Sequence, residues 1–165
     1  MTQFVERFRS AARAYCEAID ALEPEQELED VVRRLHEAMT EIYASALALS
    51  LPSVDDNGPD VERLTDEEWS RLYERLRAVL GPADEFFEIW DSDRTDPRSV
   101  VEGSLADALA DVYRDLRYGL ALDAADAEAD AIFEWTQTFW SHWGRHAADG
   151  VRVLQLLRER EGWVH

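Results

Sequence analysis

EWTQTFWSHWGRHAAD, residues 134–149, sets Trp135, Phe139, Trp140 and Trp143 around His142, Arg145 and His146. The stretch holds three of the chain's six tryptophans and two of its four histidines. Large aromatics dominate core energetics, and His or Arg beside them must find partners. Reading outward, Ile132, Trp135, Phe139, Trp143, His146/Ala147, Gly150, Val151, Leu154 and Leu157 recur every three to four positions. That spacing predicts one helix over residues 126–160, ~50 Å long at 1.5 Å per residue, with Gly144 or Gly150 as sites for a bend.

The segment before it is also helical. Gly103-Ser104 opens a fourth helix with Ser104 as N-cap, and Leu105, Leu109, Val112, Leu116 and Leu120 form its stripe. Ala106, Ala108 and Ala110 widen the apolar surface and place this helix inside the bundle. Residues 3–22 read as a first helix through Phe4, Phe8, Tyr15 and Ile19, stopped before Pro24. A second follows the acidic start EPEQELED and runs to about residue 49. Residues 51–64 form a loop rich in Pro, Asn and Gly. Thr65-Asp-Glu-Glu68 is a capping box that opens a third helix, which Gly81-Pro82 ends. Residues 83–90 fit a short helix or an extended segment, and residues 91–101 a polar loop. The expected fold is a single all-α helical bundle over residues 1–165, with five or six helices, a long C-terminal helix and no sheet.

Composition bounds the function. The 165 residues are 46% hydrophobic and carry a net charge of −19, enough apolar material for a core and against disorder. Residues 1–130 carry 32 acids and 13 arginines, and the last 35 residues carry four of each. Such acidity repels nucleic acid and anionic membrane, and it suits a basic protein partner. Lysine is absent and all 17 basic residues are Arg, a pattern that fits GC-rich coding or a salt-rich cytoplasm. A lone Cys16 excludes an intrachain disulfide, and no apolar run is long enough to span a bilayer. A cytoplasmic location is expected.

Two passages resemble a known family. GSLADALADVYRDL (103–116) with GLAL (119–122), and TFWSHWGRH (138–146) with Asp149, are similar to the marked segments of the bacterial domain of unknown function 5063. LTDEEW (64–69) followed by LYERL (72–76) is similar as well. The resemblance spans residues 4–157 and implies an all-α bacterial domain, with no activity to carry over.

One constellation could carry chemistry. His142 and His146 are one helical turn apart, as are Asp107 and Asp111 on the fourth helix. Two carboxylates facing two imidazoles would make a four-ligand site for a divalent metal such as zinc, manganese or iron. Against this, the HExxH and Glu-x-x-His patterns are absent, and Asp107 and Asp111 lie opposite the Leu105/Leu109 stripe, on a face expected to be solvated. The competing reading is a structural polar network. In it, Arg114 and Arg145 pair with Asp111, Asp115 or Asp149, while His142 or His146 donates to a carboxylate or to Tyr113. Cys16 reads as a small core residue, the acid pair Asp55-Asp56 as solvated, and His36 and His165 as exposed. No catalytic residue and no cofactor stand out. The leading functional expectation is a non-enzymatic interaction module with an acidic surface, and the alternative is a metal-binding protein or metal-dependent enzyme.

Overall fold

The structure is a computed structural model that describes residues 2–54, 58–89 and 100–163. Asp55, Asp56, Trp90, most of the 91–101 loop and His165 lie outside the described residues. The elements run α1 (Thr2–Asp20), α2 (Leu28–Ala46), α3 (Asp66–Leu80), a 3-10 turn (Gly81–Ala83), β1 (Glu85–Ile89), β2 (Val100–Ser104), α4 (Leu105–Ala124), α5 (Glu128–Thr138), a π turn (Phe139–Trp143) and α6 (Gly144–Glu161). The expected helical bundle is present, and the buried residues of its helices form one apolar cluster.

α4 occupies the middle. It packs against α1, α3, α5 and α6, and Leu105, Ala106, Leu109, Ala110, Val112 and Leu116 are all fully buried. Its alanines let several neighbours approach at once, which is why it is buried on more than one side. α3 begins at the capping box expected from the sequence: the Thr65 hydroxyl accepts from the Glu68 N–H, and Glu68 accepts from the Thr65 N–H at 2.9 Å. α1 and α2 complete the layer behind α6. Arg9, only 8% exposed, ties α1 to the α4–α5 junction by ion pairs with Asp123 and Glu128, and pairs with Glu6 within α1.

Two expectations need correction. A small antiparallel hairpin stands where no sheet was expected: β1 pairs with β2 in the register Glu85↔Ser104, Phe86↔Gly103 and Ile89↔Val100. Of the stretch left open between a short helix and an extended segment, Glu85–Ile89 is extended, and Val100 and Val101, expected in a loop, belong to its partner strand. Gly103 makes the pairing possible, because a Cβ there would stand 2.7 Å from the Phe86 ring.

The second correction concerns the C-terminal helix. It starts at Glu128, after Asp126 turns the chain with φ of 60°, and its α-helical phase breaks at the π turn. The cause is in the spacing. Trp135, Phe139, Trp143 and Ala147 are all buried and follow one another at intervals of four. In an α-helix each such step drifts about 40° round the axis, so three steps would carry Ala147 well off the core face. Five residues of wider winding absorb that drift. The Gly144 N–H reaches back to the Phe139 carbonyl, the five-residue span of a π turn.

Candidate metal centre

The π turn places His142 and the first turn of α6 places His146, both against α4. Across from them, Asp107, Asp111 and Asp115 follow one another at intervals of four along α4 and so project from roughly one side. Asp111 was expected on a solvated face; it is 8% exposed instead. α3 covers that side of α4, and its Trp69 meets the carboxylate directly.

Asp111 is the hub. Its Oδ1 accepts from Trp69 Nε1 at 3.0 Å and from Arg114 at 2.9 Å. Its Oδ2 lies 3.5 Å from His142 Nε2 and 3.5 Å from His146 Nε2. The two imidazole rings stand 5.0 Å apart, inclined at 67°. One donor atom from each of Asp111, His142 and His146 lies within 4.8 Å of the other two. Donors at ~2.1 Å from a tetrahedral zinc ion are about 3.4 Å from one another, near the two Asp111–imidazole distances, while the trio as a whole is held only within 4.8 Å.

The far nitrogen of His142 is fixed as well: Nδ1 is 2.8 Å from Asp115 Oδ2. A carboxylate behind a ligating imidazole sets its tautomer and aims its other nitrogen. Asp115 entered the sequence reading only as an arginine partner, and Trp69 only within the LTDEEW segment. The signal for Asp115 was present in the Asp-x-x-x-Asp-x-x-x-Asp run facing His-x-x-x-His. Nothing local marked Trp69, since its role depends on how α3 lies across α4.

The electrostatics divide the two histidines. Hydrogen bonding to Asp111 and Asp115 outweighs burial and lifts His142 to about 9, so it is protonated at neutral pH without a metal. Burial lowers His146 despite the nearby Asp111, which keeps it neutral and its lone pair available. For Asp111, burial works toward a higher value, but His142, Arg114 and His146 together hold it below the usual carboxylate range. Burial, and then the Asp111 charge, raise Asp107.

Of the residues expected to take part, Asp111, His142 and His146 come together and Arg114 supports them. Asp107 is not within ligand reach of the trio; it lies one turn away, half-buried. Arg145 and Asp149 line the adjoining cleft, where Asp149 lies 3.8 Å from Arg152. Tyr113 belongs elsewhere and donates to Asp20 at 2.8 Å. Cys16 is buried, and burial pushes its thiol up to about 12, which closes it to thiolate chemistry. His36 is half-buried rather than exposed, with Nδ1 3.3 Å from Arg158.

The cleft has a volume of about 610 Å³ and reaches both imidazoles. Its floor is α4 and α6, and Phe86 and Gly103 of the hairpin form a wall. A smaller cleft of about 370 Å³ opens on the other side of His142, beside Asp115, Arg63 and Arg114. Because His142 and His146 line the cleft, an ion held on them and Asp111 would keep coordination positions open to water or a substrate.

The fold is an all-α bundle in which Asp111, His142 and His146 come together where α3, α4, the π turn and α6 meet. The family model described as Domain of unknown function (DUF5063) matches residues 1–160, and the chain belongs to that family. Its fold is similar to that in the crystal structure of protein BF1032 from Bacteroides fragilis, with a TM-score of 0.78 and 19% identity, covering 94% of this chain and 92% of that one. No curated protein matches the chain. Among the described residues, no helix is long and apolar enough to cross a membrane.

Proposed function

We propose that this DUF5063 chain binds one divalent transition-metal ion through Asp111, His142 and His146. The observation that carries the reading is the convergence of these donors, with both imidazole Nε2 atoms 3.5 Å from one carboxylate oxygen. Asp115 behind His142, and Trp69 and Arg114 on the second oxygen of Asp111, supply the outer hydrogen bonds that ligands need. Two imidazoles with one carboxylate suit zinc or iron(II) better than calcium or magnesium, which prefer oxygen donors. Protein purified without an affinity tag and analysed for metal content tests this. Near one ion per chain is expected, with a loss in His146→Ala and Asp111→Asn. Negligible metal in the wild type, even after incubation with zinc, contradicts it.

Charge supports a second reading, an interaction with a basic protein. Residues 1–130 carry 32 acids against 13 arginines, and most of that excess lies in the segments between the helices, since α1 alone balances three acids with three arginines. Capture at low salt of a basic partner that elutes with added salt is the expected result. Recovery of no salt-sensitive partner counts against it.

A further inference from the structure

Asp107 is unlike the other carboxylates around the centre. Asp111, Asp115 and the buried Asp84 all accept hydrogen bonds or face an imidazole nitrogen at short range. The Asp107 carboxylate is half-buried and accepts no hydrogen bond from a described side chain, although its own N–H donates to Ser104. It stands in the first turn of α4, where a negative charge faces the positive end of the helix. It lines the large cleft together with His142 and His146, one helical turn from Asp111. At that spacing the Cβ atoms of Asp107 and Asp111 are about 5–6 Å apart, so Asp107 stands beside the trio rather than within it.

We propose that Asp107 takes the proton of a water held on the metal at Asp111, His142 and His146, and that the centre hydrolyses a neutral carboxylic ester or amide seated in the 610 Å³ cleft. This rests on the metal-binding reading. With an ion bound, its water would pass one proton to the Asp107 carboxylate, and the resulting hydroxide would bond to the carbonyl carbon as the C=O π pair moves onto oxygen, to return when the leaving group departs. The bond from that carbon to the leaving oxygen or nitrogen then breaks. Its electron pair stays on the leaving atom, which takes the proton back from Asp107. Water is added across one bond, and no oxidant, reductant or second substrate is required.

The cleft wall argues for a carbonyl over a phosphoryl group. Among the lining groups other than the two histidines, Arg145 is the one cation beside Glu102, Asp107 and Asp149, so apart from the ion the wall offers a dianionic phosphate few positive contacts. Tyr73, Phe86 and Ala108 offer apolar surface to the rest of a neutral substrate. A volume of this size fits a small organic molecule.

The test uses the full chain reconstituted with zinc, with metal content measured beside rates on p-nitrophenyl acetate and p-nitrophenyl phosphate. The zinc form should hydrolyse the acetate faster than the metal-free form, and acetohydroxamate should inhibit it. Asp107→Asn should keep its zinc and lose about 100-fold in rate, a typical contribution from a positioned base, while Asp107→Glu recovers part of that loss. A zinc-loaded wild type no faster than the metal-free chain overturns the proposal, as does Asp107→Asn at full rate with equal zinc. Loss of zinc from Asp107→Asn overturns it too, by making Asp107 a ligand. Preference for the phosphate overturns the carbonyl assignment. A wild type that binds no zinc overturns the metal-binding reading itself.

Discussion

Asp111 has to be ionised inside the bundle, and four groups make that possible. Replacing it with Ala strands the Trp69 N–H and the Arg114 guanidinium, at a cost of about 1–3 kcal/mol. Urea unfolding should show that loss, and an unchanged midpoint would mean that the carboxylate does nothing for stability. His142 adds a pH dependence in the metal-free chain. Its folded pKa of about 9 lies above the unfolded value of roughly 6.5, so its stabilisation is complete below 6.5 and disappears as pH rises through 9. Asp111 acts in the opposite sense, because its lowered pKa gives stability that is lost only as pH falls below the usual carboxylate range. The thermal midpoint of the metal-free chain should therefore decline between pH 7 and pH 9.5, and Asp111→Asn should flatten that decline. Gly119 carries a packing constraint of its own. A Cβ there would stand 2.1 Å from Nε1 of the fully buried Trp135, whose N–H donates to the Leu116 carbonyl. Gly119→Ala should cost about 1–3 kcal/mol by overpacking, despite the better helix propensity of Ala.

At the scale of elements, the π turn is the device that builds the centre. It lets Trp135, Phe139, Trp143 and Ala147 share one buried face and sets His142 in the wider winding, with His146 a turn later. Gly144 is bound to it, since a Cβ would sit 2.3 Å from the Phe139 carbonyl that closes the turn. Gly144→Ala should lower stability and zinc affinity together, read by unfolding and by metal titration. Loss of stability with affinity intact would separate the turn from the site. Much of this was legible in the sequence. The first four helices, the capping box at Thr65 and the Ser104 N-cap are local signals, and each stands close to where it was expected. The run of fours from Trp135 was also in view, but an apolar stripe reads as continuous unless its drift is followed step by step. The hairpin escaped because β1 and β2 are short and their pairing hangs on Gly103 admitting Phe86. The pairs His142/His146 and Asp107/Asp111 were visible from spacing alone. Which carboxylate serves as hub was not, because the burial of Asp111 depends on α3 crossing α4.

The whole molecule combines a conventional apolar core with a strongly charged exterior. A net charge of −19 on 165 residues destabilises the compact state through self-repulsion. Raising NaCl to about 1 M, where the screening length is only a few ångströms, should raise the thermal midpoint. A midpoint that falls with salt would mean that surface ion pairs such as Arg7–Glu41 outweigh the repulsion. The central claim concerns the interior, where a His₂Asp trio meets a cleft. Calorimetric titration of the metal-free chain with zinc at pH 7 tests it most directly. The account predicts one saturable site per chain, proton release as zinc displaces the proton on His142, and loss of the site in both Asp111→Asn and His146→Ala. An absence of saturable binding, or binding that survives both substitutions, would contradict it.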